Sequence, residues 1–246
     1  MKLETHMHTS QVSGCGKLTG ETMAEMYAAA GYGAVIVTDH ITRETPKGDF
    51  FLSGFQAVRK RAEELSGHGP QSGQKNGETT GLLVLPGAEA RLIDRGEEDY
   101  LIYGPQTEVD FAVLLRILRE KPSLADFSRQ IHENGWLIIQ AHPYRDGKTV
   151  AQAAACLDGV EAVNGNPRHT PYNEKALAFA RANRLMMTGG SDAHRVEDVA
   201  RSGVYVPLRY NYDKPEKPRI SRVFGYQARF FILFQPEKSS REVVIS

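Results

Sequence analysis

Five short segments of the chain carry side chains able to bind a metal ion: His6-Met7-His8, Asp39-His40, Glu89, His142 and Asp192-Ala193-His194. Each follows an apolar, β-prone run, so each is expected where a strand stops. In the first and last segments the two ligand-type residues are two apart, which puts both side chains on one face of an extended strand. Imidazoles and carboxylates converging from several strand ends suit a borderline divalent cation such as zinc, manganese or iron. The chemistry such a centre predicts is metal-dependent hydrolysis.

A single histidine in a strand is more often structural than a ligand. Here, however, five of the eight histidines fall at strand ends beside a second polar group. His6, His8, His40, Glu89, His142, Asp192 and His194 are therefore the expected metal ligands, with Glu89, Asp192 and His194 also expected to act in catalysis. Asp39 is different, because adjacent strand residues face opposite ways; it is expected to orient a histidine rather than touch metal. His132, in an amphipathic helical stretch, and His68, in a glycine-rich stretch, read as ordinary surface or packing residues.

The elements that must position these groups alternate between strand and helix. Expected strands are Lys2 to His6, Ala34 to Thr38, Leu82 to Leu85, Leu137 to Gln140, Gly159 to Val163, Leu185 to Thr188 and Val204 to Val206. Arg91 to Asp94 and Tyr100 to Tyr103 read as a small hairpin turning at Asp94-Arg95-Gly96. Helical periodicity marks Glu21 to Ala30, Phe51 to Leu65, Phe111 to Arg119, Pro122 to Asn134, Asn173 to Ala182 and Glu197 to Ala200. Repeated strand-then-helix units imply parallel strands, and reactive residues after the strands match the active end of a barrel. The expectation is a single-domain α/β barrel of about seven strands over residues 1–206. Residues 207–246 read as a C-terminal extension in which Arg229 to Phe234 supplies a terminal strand. Five glycines in the segment from Ser66 through Gly81 predict a surface loop.

Composition narrows the class. A 246-residue chain with 41% hydrophobic residues can bury a full core, and its 30 basic and 30 acidic residues cancel. No broad field therefore recruits nucleic acid or an anionic membrane, so anion recognition must be local. The two cysteines, Cys15 and Cys156, are too few for a disulfide framework and fit a reducing compartment. No apolar stretch reaches the length of a membrane span, and no cationic-then-apolar leader precedes His6. A cytoplasmic protein is expected.

His6-Met7-His8-Thr9, Thr38-Asp39-His40, the isolated Glu89, Ala141-His142-Pro143 and Ser191-Asp192-Ala193-His194 resemble the successive motifs of the PHP family, named for polymerase and histidinol phosphatase domains. The resemblance spans residues 1–206 and implies a distorted seven-stranded, TIM-like (β/α)7 barrel with two or three divalent metals (zinc, manganese or iron) at the strand ends. It implies that His6, His8, Glu89 and Asp192 hold one metal, that Glu89 bridges to a second held also by His142, and that His40 and His194 serve a third. Two places depart from the family pattern. A ligand that often follows the His-x-His pair is replaced by Ser13 and Gly14, with Cys15 next. A histidine after the glutamate gives way to Asp99 and Tyr100. Cys15 as a thiolate and Asp99 as a carboxylate are the candidate replacements, with Cys15 as a small turn residue the equal alternative.

A phosphate ester also needs its charge matched, which metals and planar guanidinium groups can do. Arg145, Arg168 with its neighbour His169, and Arg195 fall in expected active-end loops, and Arg91 lies two residues past Glu89. The expected function is hydrolysis of a small phosphate monoester, histidinol phosphate-like or a nucleotide, by a metal-activated hydroxide. A barrel amidohydrolase, which usually carries a bridging lysine where Glu89 stands here, is the enzyme alternative. A PHP-like metal-binding domain with reduced or no catalysis is the other.

Overall fold

The structure, a computed structural model, describes residues 1–46, 48–67, 81–92, 96–206 and, as backbone, 232–234. Most of the glycine-rich stretch, the hairpin turn at Asp94-Arg95 and the tail after Val206 up to Phe231 lie outside the described residues.

One sheet nearly closes on itself. Its strands are β1 (Lys2–Met7), β2 (Ala34–Val37), β3 (His40–Ile41), β4 (Leu83–Arg91), β5 (Asp99–Tyr103), β6 (Leu137–Gln140), β7 (Gly159–Asn164), β8 (Met186–Gly190), β9 (Gly203–Tyr205) and β10 (Ile232–Phe234). Eight of them, β1 to β8, run round the barrel, one more than expected. The extra strand arises because β2 breaks at Thr38-Asp39 and resumes as β3. Val37 pairs with Pro86 and His40 with Glu89, so the two pieces keep one register on β4. Closure is partial: β9 pairs antiparallel with the first half of β1 and β10 pairs with β9, while Met7 bridges Ala193 beyond β8.

Three further expectations are corrected. The strands are not all parallel, since β5 runs antiparallel to both β4 and β6 as the return arm of the β4–β5 hairpin. Glu89 does not follow a strand but lies inside β4, which continues through Pro86 and Gly87. At Gly87 a Cβ would meet Ile36 Cγ2 at 2.9 Å and Ile102 O at 3.2 Å, so glycine here permits close strand approach rather than a turn. The stretch from Glu197 to Ala200 forms only a 3-10 turn at Val196–Asp198.

Among the described residues five helices complete the layers: α1 (Gly20–Ala29), α2 (Ser53–Leu65), α3 (Glu108–Arg119), α4 (Leu124–Glu133) and α5 (Asn173–Asn183). Three of their starts are chemically marked. Thr19 and Ser123 cap α1 and α4, and Thr107 with Asp110 forms a capping box on α3. Leu3, Ile36, Leu85, Tyr103 and Ile139 fill the space enclosed by the strands. Met23 and Tyr27 of α1 and Val58 of α2 cover Met7, Val35 and Val37 on the outer side. Phe111 and Leu114 of α3 and Phe127 and Ile131 of α4 cover Tyr100, Ile102 and Ile138. Within this shell the polar centre sits at one end.

Candidate metal centre

β1 delivers His6 and, one residue past its end, His8; β4 delivers Glu89. His142 and Asp192 follow β6 and β8 in turns whose φ angles, +27° and +49°, lie in the left-handed region that non-glycine residues avoid. Those turns aim the two side chains, so Asp192 and His194 do not share the face of an extended strand as their spacing predicted. At Gly190 a Cβ would come within 2.4 Å of His6 Cβ, and glycine lets β8 close on β1.

The side chains converge tightly. His6 Nε2 lies 3.1 Å from His8 Nε2, 3.3 Å from Glu89 Oε1 and 3.5 Å from Asp192 Oδ1. His8 Nε2 lies 3.4 Å from Glu89 Oε2 and 3.5 Å from the same Asp192 oxygen. Ligand atoms about 2.1 Å from a shared ion at tetrahedral angles stand about 3.4 Å apart, so this spacing fits a metal. The buried Asp192 Oδ1 has no hydrogen-bond donor, as an acceptor reserved for a cation would. A second grouping joins His6, Glu89 and His142, with His142 Nε2 3.1 Å from Glu89 Oε1. A third joins His8, His40 and His194, with the His8 ring centroid 4.4 Å from that of His40 and 4.2 Å from that of His194.

Electrostatics follow from burial among opposite charges. Burial raises the carboxyl pKa values of Glu89 and Asp192, but His6 and the other imidazoles outweigh it and hold both well below the ordinary range. Burial lowers His6, yet Glu161, Glu89 and Asp192 together push it well above its usual value. His8 is driven well down, by burial first and then by His40 and His194. Cys15 stands beside those two rings. Burial raises its thiol, but hydrogen bonds to His194 and His40 bring it down to about 6.

Two buried acids escaped the sequence reading. Glu161 of β7 places Oε1 3.0 Å from His6 Nδ1, which fixes the proton there and leaves Nε2 facing the centre. Its Oε2 accepts from the His142 backbone N–H and from Asn164. Glu4 grips the backbone of β1 and Ser191. Each is a charged residue inside an otherwise apolar or β-prone run, which was a usable signal.

The secondary candidates sort differently from expectation. The Asp39 carboxylate hydrogen-bonds to no histidine among the described residues; it accepts from Thr9 N and Oγ1 and from Ser13 Oγ, each at 2.7 Å. Ser13 in turn accepts from the His40 backbone N–H and lies 3.4 Å from His8 Nδ1, so Asp39 acts through Ser13. Asp99 is gripped by Arg91 through Nε at 2.6 Å and Nη2 at 2.5 Å and stands 3.9 Å from His142 Nε2. Arg168 forms a two-point pair with buried Asp198, which also accepts from the His194 and Arg195 backbone N–H groups. Arg168 thus braces the His194 loop. His169 pairs with Asp146 at 2.8 Å.

Above the centre opens a cleft of about 460 Å³ whose walls include Lys17, Arg91, Arg145, Lys148, Arg168 and Arg195. Arg145 reaches deepest, 3.1 Å from His142 Nε2 and 3.6 Å from Asp192 Oδ2. Among the described residues Lys17 and Lys148 make no ion pair. The sequence reading missed both. Neither their spacing nor their neighbours set them apart from other surface lysines.

The family model described as PHP-associated matches residues 170–208. No curated protein matches the chain. Among solved structures, a candidate metal-dependent phosphoesterase from Bifidobacterium adolescentis shares 17% identity over 78% of this chain and 87% of its own, with a TM-score of 0.52. An amidohydrolase from Chromobacterium violaceum, solved with sulfate and without metal, shares 15% over 98% of this chain and 100% of its own, TM-score 0.52. The lesion-specific endonuclease EndoQ from Pyrococcus furiosus shares 15% over 82% of this chain and 51% of its own, TM-score 0.50. At such identities these likenesses establish the fold. Among the described residues no helix is long and apolar enough to cross a membrane.

Proposed function

We propose that this chain, whose residues 170–208 match the PHP-associated family model and whose fold is shared with a candidate metal-dependent phosphoesterase, is a PHP-type metal-dependent phosphoesterase acting on a small phosphate monoester. The observation that carries the reading is the convergence of His6, His8, Glu89, His142 and Asp192, fully buried yet with one Asp192 oxygen undonated. His6, His8, Glu89 and Asp192 would hold one divalent ion, Glu89 and His142 a second, and His40 with His194 a third, Cys15 standing beside the last. Bound ions would supply activation of water and neutralisation of phosphoryl charge.

The chain's own residues do the rest. Glu161 fixes the His6 tautomer, and Asp39 holds Ser13 against His8 and His40. Arg145 stands between the centre and the cleft, where a guanidinium can take two oxygens of a phosphoryl group. Lys17, Lys148 and Arg195 extend the positive rim outward and recruit an anionic substrate. Arg91 and Arg168 are committed to Asp99 and Asp198 and set the walls rather than grip substrate. That cationic rim favours a phosphate ester over the neutral amide an amidohydrolase would take.

Metal analysis of protein purified without chelator, followed by a phosphate-release screen over sugar phosphates, nucleotides and histidinol phosphate, tests the proposal. Two or more transition metals per chain and chelator-sensitive phosphate release are expected. Metal-replete protein that releases phosphate from none of these, yet cleaves amides, would replace it with the amidohydrolase reading.

A further inference from the structure

The pairing of β1 with β2 loses register between Glu4 and Met7. On an uninterrupted strand Leu3 and Met7, four residues apart, would share a face. They do not: Leu3 packs with Ile36, Leu85 and Ile139 inside the barrel, while Met7 packs with Met23 and Tyr27 under α1. One residue has been inserted between them, a bulge that exchanges the two faces of the strand from that point on. The exchange turns His6 and His8 to the side that Leu3 occupies. Without it both imidazoles would face the helix layer.

A bulge leaves backbone N–H groups without their ladder partners, and burial makes that costly. Here one carboxylate oxygen takes them. Glu4 Oε1 accepts from Thr5 N at 2.9 Å and from His6 N at 2.8 Å. The same oxygen accepts from Ser191 N at 2.9 Å, on the far side of the seam and next to Asp192. Glu4 Oε2 accepts from Tyr27 Oη at 2.8 Å, which anchors the carboxylate to α1. Glu4 is fully buried and lies on none of the three ligand groupings.

We propose that Glu4 is a positioning residue: its carboxylate clamps the β1 bulge and ties it to the Ser191 backbone, thereby aiming His6 and His8 at the centre and setting their distance from Asp192. The inference rests on the metal reading above. What the clamp needs is an acceptor oxygen at the right reach, so the side chain's length matters more than its charge. Glutamine keeps that oxygen in place. Aspartate keeps the charge but withdraws it by about 1.5 Å, too far for Ser191 N.

The test measures zinc and manganese bound per chain, and their dissociation constants, for wild type, Glu4→Gln and Glu4→Asp, each shown by circular dichroism to be folded. Glu4→Gln should bind metal within a few-fold of wild type. Glu4→Asp should bind 10- to 100-fold more weakly, the range usual for losing a group that orients a ligand. Tyr27→Phe, which removes the donor that anchors Oε2 and so loosens the carboxylate's hold through Oε1, should lie between them and serves as the readout if Glu4→Asp does not fold. Wild-type metal affinity in a folded Glu4→Asp, or in Tyr27→Phe if that is the readout, would overturn the proposal. So would equal losses in the glutamine and aspartate variants, which would make charge rather than reach the requirement. A wild type that binds no metal would instead overturn the metal reading on which the proposal rests.

Discussion

The buried centre and the cleft rim are built on opposite plans. In the centre, three of the candidate ligands are backed by a second group that fixes their direction: Glu161 behind His6, Ser13 and Asp39 behind His8, the Asp192 carbonyl 2.9 Å from His194 Nδ1. On the rim, charge is plentiful but unevenly committed. Arg91 and Arg168 are paired with buried carboxylates, while Lys17 and Lys148 are not paired among the described residues. Direction is fixed where ions would be held in a set geometry, and left loose where a substrate must enter and leave. The contrast separates two roles that residue type alone merges: arginines look like substrate grips in a sequence, and half of these are braces.

Substitutions that remove a ligand should have the largest effect. Glu89→Ala and Asp192→Ala each delete an anionic ligand, and chelator-sensitive phosphate release should fall by more than the roughly 100-fold that losing an orienting partner costs. Their circular dichroism should stay native. Wild-type-like turnover at saturating manganese or zinc would remove both residues from the centre.

Losing an orienting group should cost less. Glu161→Ala leaves His6 Nδ1 without its acceptor, so metal affinity should drop by about 10- to 100-fold, read by titration against a competing chelator. An unchanged affinity would mean that burial alone holds the ring.

The rim should then divide along its pairings. Arg145→Ala and Lys148→Ala should keep bound metal but weaken inhibition by inorganic phosphate by about one to two decades, the equivalent of about 1.5 to 3 kcal/mol for a charge-assisted hydrogen bond. Arg168→Ala should instead lower the melting temperature, because it strands the buried Asp198 carboxylate. A loss of phosphate affinity with an unchanged melting temperature would return Arg168 to the substrate side.

The smallest effect concerns Cys15. With its thiol brought to about 6 rather than the usual 9, the thiolate should appear as pH rises through about 6. The rate of alkylation by iodoacetamide should follow that titration in metal-free protein. A midpoint near 9 would show that His40 and His194 do not reach the sulfur in solution.

The centre was largely legible because its residue types are rare at the ends of apolar β-prone runs. His6, His8, Glu89, His142 and Asp192 were chosen from sequence, and the structure brings them together. What stayed hidden was set by contacts between distant segments. Arg168 and Asp198 are 30 residues apart and Glu161 and His6 are 155 apart, and no local pattern announces such pairs. The β1 bulge was equally invisible, since alternation along one strand says nothing of its register on the next. The antiparallel β5 was half read: the hairpin was expected, but the two residues flanking its turn, Arg91 and Asp99, were not expected to form an ion pair.

Anomalous diffraction from crystals grown with zinc, recorded at the zinc edge, tests the central claim most directly. A peak is expected about 2.1 Å from His6 Nε2, His8 Nε2 and an Asp192 oxygen, with at least one more peak beside Glu89 or His40. An ordered map with His6, His8 and Asp192 in these positions and no peak among them would contradict it.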